Sequence, residues 1–224
     1  MKPRELVASA RVPGHRGELH CYRHDGAYTL WLDRTELMSS RVHESEQMLA
    51  DVALAALPPR PTPRILVGGL GMGFTLAQVV QKAPADARIE VVELIPEVLA
   101  WNHEHFGVLT GHPLNDPRVS VTTGDVFDVL TAADHCYDVI LLDIDNGPEA
   151  LVHPGNDRIY APRGLVTARD ALTKGGVLAV WSSAADPSFG GRLVGVAMNV
   201  TTHRTRARGR KGPRRTIWTA TTRG

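Results

Sequence analysis

Residues Arg64–Val80, RILVGGLGMGFTLAQVV, constrain the chain more than any other stretch. The apolar run Ile65-Leu66-Val67 leads into four glycines in six residues, Gly68, Gly69, Gly71 and Gly73, and Phe74–Val80 then resumes with apolar spacing suited to a helix. A buried strand, a glycine turn and a helix N-terminus together let a ligand approach the main chain closely. Twenty residues beyond Gly73 a second apolar run, Ile89–Val92, ends in Glu93. An acid at the tip of the second strand of such a unit accepts both hydroxyls of a ribose. Turn and acid together imply nucleoside binding. A glycine turn that serves packing alone is the competing reading.

The rest of the chain supports an open α/β sheet. Pro96–His105 reads as a helix, Val119–Thr122 as a third strand with Gly124-Asp125 at its end, and Tyr137–Leu142 as a fourth, nearly all apolar. A loop of about fifteen residues separates it from a helix near Ala161–Leu172; Lys174-Gly175-Gly176 then turns into a fifth strand, Val177–Trp181. Gly190–Met198 is expected to be helical, and Val200–Arg206 with Thr216–Thr221 to form a closing hairpin. Strands alternating with helices give a parallel, doubly wound sheet, here with a final antiparallel pair. Residues 1–40 differ: Glu5–Val12, Gly17–Arg23 and Ala27–Asp33 are short strand-like runs separated by Pro13-Gly14 and Asp25-Gly26. They predict a small antiparallel sheet of about three strands. The helical spacing of Met48, Leu49, Val52, Ala53, Ala56 and Leu57 follows, and Pro58–Pro63 stops that helix and stiffens the connector.

In an open sheet of this kind the ligand sits beyond the C-terminal edge of the strands. The Gly68–Gly73 turn, Glu93, Gly124-Asp125 and Asp143 all fall there. Asp125 can accept from an exocyclic amine such as that of adenine. Asp143, after a strand expected to be fully buried, carries a carboxylate into the cleft. Each acid also has a plain alternative, because strand-end Asp residues cap helices and fix turns.

GGLGMG, VVELIPEV, GDVFDVL, YDVILLDIDNGP and IYAPRGLVTARDALTKGGVLAV resemble the successive motifs of class I S-adenosylmethionine-type transferases. They are most similar to the spermidine synthase (polyamine aminopropyltransferase) branch. GAYTLWLDRTELMSSRVHESEQMLADVAL resembles that branch's small β-domain and entry helix. The resemblance implies a Rossmann-like, doubly wound, mostly parallel seven-stranded sheet with a small N-terminal antiparallel β-domain. The expected division is 1–40 for the β-domain, 41–63 for the entry helix and Pro-rich connector, and 64–224 for the transferase domain. By matching position, Gly68, Gly69, Gly71, Gly73, Glu93, Leu94, Gly124, Asp125 and Val126 hold the donor. Glu93 takes the ribose and Asp125 the adenine amino group, while Asp143 is the catalytic acid and Asp145 a substitute for the family's second one. Glu36, Glu46, His153 and Tyr160 are candidates for the acceptor, and Glu44 is a further acid on the entry helix.

Two departures shape the expected chemistry. The family's glycine loop carries an acid where this chain has Gly71, and its catalytic loop is shortened here to DIDNGP. Loss of that acid removes a charge that would repel a donor carboxylate. Methyl transfer from S-adenosylmethionine is therefore placed slightly ahead of aminopropyl transfer from the decarboxylated donor, with no metal. The expected acceptor is a small molecule, an amine if the acids face it. A non-catalytic nucleoside-binding protein is a second reading. An NAD-dependent oxidoreductase is a third, disfavoured because a second phosphate would crowd Asp125 and Asp143.

Composition narrows the partners. With 25 Lys and Arg against 24 Asp and Glu, no global charge favours nucleic acid. Cys21 and Cys136 lack metal or disulfide spacing, and no apolar run approaches a membrane span. A cytoplasmic location and a homodimer are expected. Arg204, Arg206, Arg208, Arg210, Lys211, Arg214 and Arg215 form the one basic cluster. It reads as a solvated hairpin or, more sharply, as a patch for an anionic substrate or for RNA.

Overall fold

Period-two burial organises the first forty residues. The strands are β1 (Glu5–Arg11), β2 (Glu18–His24), β3 (Ala27–Leu32) and β4 (Thr35–Ser39), paired antiparallel in that order. These belong to a computed structural model that describes residues 3–144, 147–148, 157–208 and 211–222. Tyr28, Leu30 and Leu32 point inward from β3, and Asp25 and Gly26, both at positive φ, make the tight turn between β2 and β3. The expected three strands become four because β4 carries a bulge, which hides its alternation. Leu30 pairs with Met38 but Trp31 pairs with Glu36, leaving Leu37 as the extra residue.

The second sheet has seven strands in the order β10-β11-β9-β8-β5-β6-β7. They are β5 (Arg64–Gly68), β6 (Arg88–Glu93), β7 (Val119–Thr123), β8 (Tyr137–Leu142), β9 (Leu172–Ser182), β10 (Met198–Arg208) and β11 (Lys211–Thr222). β9, β8, β5, β6 and β7 run parallel, and β11 and β10 close the sheet antiparallel. Every residue of β8 is buried, as an apolar run at the centre of a parallel sheet should be. The chain leaves β5 toward β6 on one side and returns to β8 on the other, so the cleft lies above the ends of β5 and β8.

One face of this sheet packs against α1 (Glu44–Ala56), α2 (Phe74–Lys82), α3 (Pro96–Trp101) and the inner face of the four-stranded sheet, in one continuous core. The other face carries α5 (Val126–Ala132), α7 (Pro162–Ala171) and α8 (Phe189–Gly195). A π-turn, Asn102–Phe106, joins α3 to α4 (Gly107–Thr110), and α6 (Asp157–Tyr160) precedes α7. Two expected boundaries move. β9 starts at Leu172 rather than Val177, because the Lys174–Gly176 stretch is absorbed in the strand as an irregularity opposite Tyr137–Val139. The helix expected over Gly190–Met198 stops at Gly195, where Ala197 at φ +63° turns the chain into β10. No helix among the described residues is long and apolar enough to cross a membrane.

Candidate active site

The strand ends are sewn together before any side chain is considered. The Gly69 N–H donates to Val92 O, the Asp143 N–H to Gly68 O and the Gly124 N–H to Glu93 O, each at 2.9 Å. Gly69 adopts φ +85°, and a Cβ there would collide with the Asp143 carbonyl oxygen. Only glycine satisfies both conditions. Gly71, at φ +51°, leaves room for the Met38 sulfur, which accepts the Met72 N–H at 3.2 Å. Asn102, in the π-turn, donates from Nδ2 to Gly71 O at 2.8 Å and so braces the turn from behind.

Glu93 is buried at the tip of β6. One carboxylate oxygen accepts the Leu70 N–H and the other the Ile95 N–H, both at 2.9 Å. Burial raises its pKa above the ordinary range, and the backbone N–H groups oppose that rise. Asp125 caps α5, with Oδ1 accepting the Phe127 N–H at 2.8 Å and Oδ2 the Arg158 guanidinium at 2.6 Å. The plain capping role and a place in the cavity lining therefore coexist at this residue.

One end of the cleft holds a carboxyl pair. Asp143 and Glu46, the latter in the first turn of α1, both line the cavity. Thr75, in the first turn of α2, donates its hydroxyl to Asp143 Oδ2, and Ser45 donates to Glu46 Oε2. Burial pushes Asp143 up to about 6, with the Thr75 hydrogen bond opposing it. Burial, and then the Asp143 charge, push Glu46 up to about 7. Two acids that hold their protons toward neutrality in a cleft are placed for proton transfer.

One cavity thus collects Gly69, Gly71, Glu93, Leu94, Gly124, Asp125, Val126, Asp143 and Glu46, roofed by Val12, Leu19, Leu30, Leu32 and Leu37 of the four-stranded sheet and its flank. Gly68 lies beneath it and Gly73 opens α2. Two acceptor candidates fall elsewhere. The β4 bulge sets Glu36 opposite Trp31, exposed and in the field of Arg4, and sends Leu37 and Met38 to the cavity instead. Tyr160 packs: its ring meets Phe189 edge-on and its hydroxyl donates to Ile144 O at 3.3 Å. Asp145 and His153 lie outside the described residues. Thr75, Asn102 and Trp181 were not legible as site residues. Trp181 had a usable signal, because Leu142 pairs with Val180 and so sets Trp181 beside Asp143.

Residues 42–185 match the family model described as the spermine/spermidine synthase domain. The chain belongs to this family. Spermidine synthases are among the structural neighbours. The crystal structure of one in complex with the transition-state analogue AdoDATO superposes with a TM-score of 0.75 at 16% identity, covering 97% of this chain and 72% of that one. The Thermotoga maritima spermidine synthase gives 0.76 at 16% identity with the same coverage. At that identity the likeness speaks for the fold. Among curated proteins, a polyamine aminopropyltransferase of Corynebacterium efficiens is 34% identical over 130 residues, 55% of this chain and 23% of that protein. One of Shewanella oneidensis is 28% identical over 169 residues, 70% of this chain and 28% of that protein. The chain spans about a quarter of the length of these curated relatives.

Proposed function

We propose that this chain transfers an aminopropyl group from decarboxylated S-adenosylmethionine to a small-molecule amine. The pair of half-buried Asp143 and buried Glu46 carries the reading, facing the cavity that Glu93 and the glycine turn open to a nucleoside. The family match and the names of the curated relatives support aminopropyl over methyl transfer, so the slight preference for methyl transfer drawn from Gly71 is given up. Glu93 accepts the ribose hydroxyls, and Asp125 and the Val126 backbone meet the adenine edge. The acceptor enters as an ammonium, and the Asp143 carboxylate takes one of its protons. The freed lone pair attacks the carbon beside the sulfonium, the N–C bond forms and the C–S bond breaks. Its electron pair stays on sulfur, and 5′-methylthioadenosine leaves. A carboxyl raised toward neutrality is a stronger base than an exposed one, and Glu46 holds the cationic nitrogen close to it.

The two donors release different products, which makes the test direct. Purified protein incubated with an amine and decarboxylated S-adenosylmethionine should release 5′-methylthioadenosine. Release of S-adenosylhomocysteine from intact S-adenosylmethionine, with no turnover of the decarboxylated donor, overturns the reading. Asp143→Asn should lower kcat by about 10²–10⁴-fold while nucleoside affinity, measured by calorimetry, stays within a few-fold. Undiminished turnover in that variant would remove Asp143 from the mechanism.

A further inference from the structure

A cation stands beside Trp181, which lines a site otherwise furnished with acids. Ile217 of β11 pairs with Trp181 of β9, and strand alternation puts Arg215 on the Ile217 face, the side of the sheet that also carries Trp181. Five other members of the basic cluster, Arg204, Arg206, Arg208, Lys211 and Arg214, are exposed, whereas Arg215 turns inward. Its Nη1 donates to Ser183 O at 3.2 Å and to Arg214 O at 3.3 Å, and its guanidinium carbon lies 5.5 Å from the Trp181 ring centroid. It feels the field of Glu46, yet no carboxylate among the described residues comes within ion-pair distance of it. Trp181 lines the cavity and is 5% exposed, and its Nε1–H has no acceptor among the described residues. A half-buried guanidinium that meets two backbone carbonyls but no carboxylate among the described residues stands beside a buried indole N–H with no acceptor among them. The buried N–H is costly to leave so, and an anion would satisfy it while pairing with the guanidinium's charge. An acceptor bearing only ammonium groups would meet Arg215 as a repulsion.

We propose that the acceptor carries an acidic group beside its reacting amine, a carboxylate in the simplest case. Arg215 and the Trp181 indole N–H hold that group while the amine faces Asp143 and Glu46. The amine end rests on the aminopropyl-transfer reading; the anion end rests on Arg215 and Trp181 alone. The competing role for Arg215 is to balance the Glu46 charge with no part in selection.

Putrescine and ornithine separate the two, because they differ by one carboxylate. Their kcat/KM values with decarboxylated S-adenosylmethionine should favour ornithine by tenfold or more. Calorimetric binding of each amine to protein saturated with 5′-methylthioadenosine should show the same order. Arg215→Gln should lower the ornithine-to-putrescine ratio by tenfold or more, and Trp181→Phe by several-fold, with circular dichroism showing both folded. Should Arg215→Gln fail to fold, the wild-type ratio and Trp181→Phe decide. Equal use of the two amines, a preference for putrescine, or an equal loss for both in Arg215→Gln overturns the proposal. Selective binding of ornithine without turnover supports the anion site and overturns aminopropyl transfer. Turnover of putrescine without selection does the reverse.

Discussion

Replacing Glu46 with glutamine should make the folded protein more stable in alkaline solution, by an amount that the burial of Glu46 sets. The side chain is 6% exposed, and its pKa stands at about 7 against an ordinary 4.5. At about 1.4 kcal/mol for each tenfold change, that displacement corresponds to roughly 3 kcal/mol. The sign follows from which state holds the proton. Between pH 4.5 and 7 the folded chain keeps a proton that the unfolded chain has released, so stability falls as pH rises and the full penalty stands above about 7. A glutamine at this position has no proton to lose, and its amide oxygen can still accept from Ser45. The variant should therefore match the wild type near pH 4.5 and exceed it at pH 8.5. For a chain of this size the gain is roughly 6–12 °C in Tm, with the attraction of Arg215 already contained in the pKa of about 7. Scanning calorimetry of both proteins at pH 5, 6, 7 and 8.5 reads it. A Tm difference that does not change with pH, or a variant less stable at pH 8.5, would refute a desolvated carboxyl at this position.

Other perturbations probe the donor end and the scaffold. Glu93→Gln should weaken 5′-methylthioadenosine binding by about 10–100-fold in calorimetry; unchanged affinity removes Glu93 from the ribose. Gly69→Ala should abolish nucleoside binding and lower Tm, because the Cβ meets the Asp143 carbonyl; a fully active variant would show that the loop has another stable path. Asp138 accepts from the Arg64 N–H, Arg60 and Thr173, and these bonds outweigh burial to hold its pKa below the ordinary 3.8. Its contribution is present above 3.8 and fades as pH falls through the folded value. Asp138→Asn should then cost about 1–3 kcal/mol in urea unfolding at pH 7 and progressively less toward pH 3. A constant difference across that range would contradict the pairing.

The glycine turn and strand-end acids that line the cavity were readable because they are written in local sequence. Gly68–Gly73, Glu93 and Asp143 sit at ends of apolar runs whose direction is implied by α/β alternation, and the strand ends of one sheet meet at one edge. The acceptor half was read less well, because its members come from separate elements. Glu46 could be proposed from the entry helix, but its partnership with Asp143 depends on how α1 lies against the sheet. Glu36 was misplaced by a single bulge residue, which flips the facing of β4 and leaves no mark in a five-residue strand. Arg215 looked like the other arginines of its hairpin. Only the pairing of Ile217 with Trp181 distinguishes it.

The hydrogen bonds that join Gly68 to Asp143 and Gly69 to Val92 have a consequence for how such a protein changes over evolutionary time. They place the glycine turn and Asp143 on one stiff frame, so neither can be moved without shifting the other. The opposite wall is assembled from side chains of α1 and the four-stranded sheet, and among the described residues no backbone-to-backbone hydrogen bond ties it to the glycine turn. Under the proposed reaction, new acceptors could be explored there one residue at a time with the frame left intact. Directed evolution toward other amines should accumulate its successful substitutions in that wall and spare the frame.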